Sequence, residues 1–188
     1  MKIKRKSCTS AEKKKRRMNL GRQVLSILLL LLCGIPMLGG GVQALGVIPA
    51  AICISMNEDV YFSMFAGVLS GLMIDLACGG ILCANAMFLV CFCTFVSLLF
   101  ASLLRHTFLN YLLVLIVGTF GRAGIGYLLT QVLFQREGRE IYWQNIQIPS
   151  CLLTLLAGVV VYWLFLPLNR LLTRQVKSMD AAAIYREN

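Results

Sequence analysis

The stretch VYFSMFAGVLSGLMIDLA, residues 60–77, carries a single charged side chain, Asp75. A run of this length and polarity is typical of a helix that crosses the hydrocarbon core of a membrane, where every backbone polar group has to be paired within the segment. Ser63, Gly67 and Gly71 recur every four residues ahead of Asp75, so all four lie on one face of the helix. Small residues at this spacing let two helix backbones approach closely. We therefore predict that this stripe is a helix interface, within the protein or with another membrane protein.

Further apolar runs surround this one on both sides. Hydrophobic residues make up 59% of the chain, charged residues only 14%, and the mean hydropathy is +0.78, whereas soluble domains carry about 25% charged residues. The first two runs are short and the second contains Pro49, so they form either two spans or one span plus a re-entrant piece, and five spans is the alternative to six. We predict an all-α integral membrane protein, a six-helix transmembrane bundle with spans at about 24–38, 42–56, 60–77, 84–104, 108–134 and 148–168.

Basic residues predict the orientation of the spans, because short cytoplasmic segments are enriched in Lys and Arg. With six spans, one side of the membrane receives Arg105, four cations after the last span and ten in the N-terminal tail, while the other receives only Arg136 and Arg139. Both termini are therefore predicted to be cytoplasmic. The domains are a basic tail (1–22), the six-span domain (23–172) and a C-terminal tail (173–188).

The basic tail is predicted to contact anionic lipids, which attract such clusters at the membrane surface. The residues assigned to this contact are Lys13, Lys14, Lys15, Arg16 and Arg17. No aromatic-interleaved module accompanies them, so no nucleic acid is expected as a partner.

Two ionisable residues lie deep inside predicted spans. Asp75 is 15 residues after Val60, and Arg122 is 14 residues after Phe108, so both reach a depth of about 20 Å from the same surface. Ionisable groups at such depth usually have a partner and a function. We predict an intramembrane ion pair, Asp75–Arg122, that locks two spans together; a proton relay, a substrate counter-ion, or no contact at all are the alternatives.

The sequence contains no enzyme signature. It has no Gly-rich phosphate loop, no paired catalytic carboxylates and no metal-ligand cluster, and most of its eight cysteines lie within apolar runs. We therefore expect no catalytic activity, no cofactor and no metal. Cys78 and Cys83 flank a short loop and are either bridged or free, while Asn85 and Asn110 are predicted to be helix caps.

Several features in order resemble the rod shape-determining protein MreD family, over about Val24 to Arg174. In chain order, they are Pro49 after the first span, the stretch AGVLSGLMIDLACGGILCANAM at 66–87, a fourth span that ends at Arg105, and the ending LFLPLNRLL at 164–172. Cys83 stands where the family pattern leads us to expect glycine, and the long basic tail is an addition.

This resemblance implies a multi-pass protein of the bacterial cytoplasmic (inner) membrane. It implies a non-catalytic scaffold or regulator of the cell-elongation machinery, which supports peptidoglycan synthesis and cell shape. The implied partners are MreC, the cytoskeletal protein MreB, and the wall synthases RodA and a class B penicillin-binding protein. Gly67, Gly71 and Asp75 would form a structural and interaction core.

The main alternative is the substrate-binding membrane subunit of an energy-coupling-factor vitamin transporter, which has a similar length and a similar six-helix architecture. Such subunits typically carry small residues four apart on the first span, but here that span reads VLSILLLLLCGIPML at 24–38. They also need a vitamin pocket, for which the candidate residues are Asp75, Asn85, Arg122, Gln131 and Trp143. A membrane enzyme is a third class, disfavoured by the missing catalytic residues.

Overall fold

Every element is helical in the part of the chain that the structure describes. The computed structural model describes residues 10–38, 45–78, 83–134 and 148–187, with the side chains of 19–36, 45–77, 83–128 and 148–167. The helices are α1 (Ser10–Gly34), α2 (Val47–Asn57), α3 (Val60–Cys78), α4 (Ala84–Ser102), α5 (Phe108–Phe134) and α6 (Ile148–Glu187). A short 3-10 turn, Ile35–Leu38, follows α1. The predicted all-α class is confirmed for these residues.

Four segments are long and apolar enough to cross a membrane, by length and composition. They are Val60–Ala77, Ala84–Ser102, Phe108–Leu128 and Ile148–Pro167, so the protein is a multi-pass membrane protein. The predicted spans 24–38 and 42–56 correspond to shorter apolar helices, Asn19–Gly34 and Val47–Asn57. The backbone is also helical within both predicted tails, because α1 begins at Ser10 and α6 runs to Glu187. The six-span count stays a prediction.

α2 lies at the centre of the bundle. Its residues from Val47 to Met56 are all buried, and α2 contacts each of the other five helices. A helix that is apolar on every side is surrounded either by lipid or by protein, and α2 is surrounded by protein. Its 11 residues make a helix of about 16 Å, half of a hydrocarbon core of about 30 Å. α2 is therefore too short to cross a bilayer alone, which favours the re-entrant alternative for this run.

The bundle has two ends, which we name after residues. At the Arg22 end, Arg22 near the start of the apolar part of α1 contacts Glu58, the residue after α2. At the Asp75 end, α3 finishes and α4 begins. The N-terminal side of α2 is attached to α6, because the backbone N–H of Leu45 donates to Thr154 Oγ1 over 3.0 Å.

α3 and α4 form the closest helix pair, because two glycines let their backbones touch. A Cβ on Gly71 would overlap the Cα of Ala86 and lie 2.6 Å from its backbone nitrogen. A Cβ on Gly67 would lie 2.9 Å from the carbonyl oxygen of Leu89. In lipid, where apolar side chains gain little from leaving the solvent, this kind of close packing is what holds helices together.

α5 and α6 are joined by a buried tyrosine. Tyr111 is fully buried, and its hydroxyl donates to the carbonyl oxygen of Gly158 over 2.9 Å. Tyr162 of α6 packs on the Tyr111 ring at a centroid distance of 4.8 Å. The hydroxyl of a buried tyrosine needs such a partner, so this contact fixes the two helices relative to each other.

Large apolar side chains face outward on all five helices that surround α2. On α1 and the turn that follows it, Val24, Leu28, Leu31 and Ile35 form one stripe, each 44–61% exposed. Monomeric soluble proteins rarely expose apolar surface on this scale. In a bilayer the same surface contacts lipid tails.

Gly71→Ala is expected to destabilise the protein by about 1–3 kcal/mol, because the added Cβ has no room against α4. Gly124→Ala is the matched control, since no atom lies within 4 Å of its added Cβ. It should be neutral or stabilising, because alanine favours a helix over glycine by about 1 kcal/mol. The free energy of unfolding in detergent, measured by SDS titration with circular dichroism, reports both. Equal effects of the two substitutions would contradict the α3–α4 contact.

Candidate functional site

Three polar side chains from three helices meet towards the Asp75 end of the bundle. Asp75 lies in the last turn of α3, Asn85 in the first turn of α4 and Arg122 midway along α5. Asn85 Nδ2 donates to Asp75 Oδ1 over 2.7 Å, and Arg122 Nε donates to Asn85 Oδ1 over 2.9 Å. We call Asp75, Asn85 and Arg122 the polar chain.

Asp75 also caps α4. Its Oδ1 accepts the backbone N–H of Asn85 over 3.3 Å, and its Oδ2 accepts that of Ala86 over 3.4 Å. The first N–H groups of a helix lack partners within it, and Cys83 at the N-cap position makes no side-chain cap hydrogen bond. The carboxylate from α3 takes that role, where the positive end of the helix dipole also favours it. Since Asp75 is only 2% exposed, these donors replace water around it.

Asn85 is the residue that orients the polar chain. Its amide nitrogen faces the carboxylate of Asp75, so its amide oxygen faces the guanidinium of Arg122. An amide can donate and accept at the same time, which lets one neutral side chain connect an acid and a base on different helices. The polar chain therefore links α3, α4 and α5.

The sequence placed Asp75 and Arg122 at similar depths and predicted that they pair; in the structure, Asn85 connects them. The bridging role of Asn85 was missed because an amide in the first turn of a helix is usually explained by capping. A usable signal was the hairpin itself. In the sequence, Asp75 and Asn85 flank a short stretch that contains two glycines, so antiparallel helices would bring them side by side.

The predicted small-residue stripe faces α4 of the same chain. Ser63, Gly67, Gly71 and Asp75 are all buried, and the two glycines meet the α4 backbone. Of the two partners that the sequence allowed for this stripe, the structure provides one within the protein. A surface for another membrane protein therefore has to be sought on other helix faces.

A second charged contact, not predicted from the sequence, lies at the Arg22 end. Arg22 Nη2 donates to Glu58 Oε2 over 2.7 Å, Arg22 Nε lies 2.6 Å from Glu58 Oε1, and the Glu58 side chain is only 4% exposed. The ion pair therefore contains one hydrogen bond, and hydrogen bonds between charged groups are among the stronger polar interactions in proteins. The hydroxyl of Ser97 in α4 donates to the Glu58 carbonyl over 3.4 Å, so α1, α4 and the end of α2 converge here.

Other predicted residues fall partly outside the described side chains. The cluster Lys13 to Arg17 lies on the helical backbone of α1, but its side chains are outside the described residues, as are those of Gln131, Trp143 and Cys78. Cys83 is an exposed free thiol. Its φ of 70° is a left-handed conformation that favours glycine, which gives a physical reason to expect glycine there.

Comparisons with protein-family models, with curated proteins and with solved structures gave no match to this chain. Among the described residues, no group of three or more His, Cys, Asp or Glu side chains is arranged to hold a metal ion. The candidate site is therefore interpreted from its own geometry. That geometry is a polar connection between three helices, built on a closely packed hairpin.

Asp75 and Arg122 are expected to be energetically coupled only while Asn85 is present. Asp75→Asn and Arg122→Gln should change the free energy of unfolding non-additively, by about 0.5–3 kcal/mol. In an Asn85→Ala background the same two substitutions should be additive, because the amide that joins the side chains is gone. SDS titration measures each variant. Coupling that survives Asn85→Ala would mean that the two charges meet by another route.

Proposed function

We propose that the protein is a non-catalytic membrane scaffold of the bacterial cell-elongation machinery, of the rod shape-determining protein MreD type. In this role it supports peptidoglycan synthesis and cell shape through helix contacts with MreC and with the wall synthases RodA and a class B penicillin-binding protein. Through these proteins it is linked to the cytoskeletal protein MreB. This role requires a stable membrane bundle with outward faces for partners.

The observation that carries the proposal is the fit between the resembling stretch, 66–87, and the α3–α4 hairpin. Gly67 and Gly71 stand where the helix backbones leave no room for a side chain. Asp75 is the carboxylate that caps α4. The residues behind the resemblance are thus the ones that this hairpin needs, which supports a shared fold, and the function follows from the resemblance.

In the proposed orientation, the Arg22 end lies at the cytoplasmic side of the bacterial inner membrane. The basic tail and Arg105 lie towards this end, as expected for cytoplasmic segments. On the helical backbone of α1, Lys13 to Arg17 precede Arg22 by about 8–14 Å. That is the depth of lipid headgroups, so this cluster is proposed to bind anionic lipid, at about 1 kcal/mol per basic residue.

Partner contacts are assigned to the outward faces, because the small-residue stripe is used inside the protein. An exposed phenylalanine lies on the outward face of each of three helices. These are Phe65 on α3, Phe95 on α4 and Phe120 on α5, which are 53%, 61% and 56% exposed. Each projects from the bundle, so its truncation tests a surface with little effect on packing.

One observation favours the second candidate, a substrate-binding subunit of an energy-coupling-factor transporter. Asp75, Asn85 and Arg122 converge from three helices towards the end opposite Arg22, which is where a pocket open to the outside would lie. The polar chain would then contribute to binding a vitamin. The proteins that copurify with the chain distinguish this candidate from the scaffold.

Phe65→Ala, Phe95→Ala and Phe120→Ala form a matched set for mapping the partner surface. The tagged wild-type protein, purified from gently solubilised bacterial membranes, is expected to recover MreC and the wall synthases by mass spectrometry. One of the three substitutions should reduce MreC recovery about tenfold, corresponding to about 1.4 kcal/mol of binding energy, while the other two leave it unchanged. Equal expression and equal melting temperature of the variants serve as the control.

Recovery of two ATPase subunits with a coupling membrane protein, in place of MreC, would favour the transporter and reject the scaffold. Recovery of neither set, from a host that contains both, would reject both candidates. Equal losses in all three variants at unchanged stability would argue against a single contact face.

A further inference from the structure

α4 and α5 are joined firmly at the Arg22 end. The connecting residues 103–107 form a compact turn in which the backbone N–H groups of Leu103 and Leu104 both donate to the carbonyl of Leu99 over 2.9 Å. Asn110 Nδ2 donates to the Arg105 carbonyl over 2.9 Å, and His106 stacks on Phe100 at 5.6 Å. This turn closes one end of the α4–α5 seam, by which we mean the facing surfaces of these two helices.

Along the rest of the seam, α4 and α5 meet through aromatic rings placed on glycines. A Cβ on Gly118 would lie 2.7 Å from the Phe92 ring, and a Cβ on Gly121 would lie 3.2 Å from the Phe88 ring. The seam is therefore closed by side chains, whereas α3 and α4 are in backbone contact.

The central helix supports only part of α5. A Cβ on Gly158 would lie 3.4 Å from Pro49 Cβ and would also contact Leu115, so the first turn of α2 is level with Leu115. The part of α5 from Gly118 onward continues beyond that level. Here Arg122 donates a hydrogen bond to Asn85 of the α3–α4 hairpin.

We propose that the α4–α5 seam opens at its Asp75 end, with residues 103–107 as the hinge and the polar chain as the latch. Asp75 holds Asn85 within the rigid hairpin, and Asn85 presents its oxygen to Arg122 on the other side of the seam. Arg122 is 15 residues beyond Thr107, about 22 Å along the helix, so a tilt of about 10° at the hinge moves it by about 4 Å. This inference rests on the contacts alone and does not depend on the proposed function.

Distances between spin labels across the seam test the proposal. One pair, at Met87 and Leu128, spans the Asp75 end, and a second pair, at Leu98 and Leu113, spans the seam nearer the hinge; all four positions are 53–72% exposed. The labels are placed in a full-length background without native cysteines whose melting temperature matches the native protein. Double electron–electron resonance in nanodiscs gives the distance distributions.

Arg122→Gln and Asn85→Ala should each lengthen or broaden the Met87–Leu128 distance by about 5 Å, because Leu128 is 21 residues beyond Thr107, and should change the Leu98–Leu113 distance by no more than about 2 Å. Asn85→Ala keeps the backbone N–H groups that Asp75 caps, so the hairpin remains intact in that variant. Arg105→Gln, the same change in the exposed turn, should alter neither distance. An unchanged Met87–Leu128 distance in both folded latch variants overturns the proposal, and so does an equal change at both pairs, which would mean general loosening.

Discussion

A carboxylate buried in a membrane protein has to be surrounded by donors, and the rest of this bundle depends on how that requirement is met for Asp75. Its donors are the backbone of the next helix and the amide of Asn85. The α4 N-terminus reaches the carboxylate only if α3 and α4 approach to backbone contact, and that approach requires Gly67 and Gly71. The buried carboxylate of Asp75, the cap that it forms on α4 and the two glycines therefore depend on one another.

The two halves of the bundle are held together by different forces. At the Arg22 end, α2 fills the centre with buried apolar side chains, so packing density supplies the cohesion. α2 is too short to do the same at the Asp75 end, where α5 meets the hairpin through the Phe88 ring and the hydrogen bond from Arg122 to Asn85. Close apolar packing resists the displacement of a helix in every direction. A hydrogen bond, by contrast, is broken by any displacement that separates its donor from its acceptor. The conformational freedom of the protein is therefore expected to concentrate at the Asp75 end.

The sequence predicted the elements better than their connections. The bounds of α3 to α5 followed from apolar runs separated by polar or glycine-containing breaks, because lipid requires long uninterrupted helices. Asp75 was conspicuous because a charge within an apolar run is costly. The bridging role of Asn85 and the Arg22–Glu58 contact were not predictable in the same way, since neither a neutral amide at a helix start nor a charge at a span boundary is costly alone. Their roles depend on which helices become neighbours, and local sequence does not encode that.

Because the small-residue stripe packs inside the protein, other membrane proteins have to be recognised by the outward faces of the bundle. The outward faces carry leucine, valine and phenylalanine, which lipid tails contact as readily as a partner helix does, so apolarity alone gives no specificity. Specificity then has to come from shape, and above all from the angle between neighbouring faces. The hairpin fixes that angle for α3 and α4, while the α4–α5 seam sets it for α5. A latch at the seam would therefore control which partner surface fits, without contacting the partner itself.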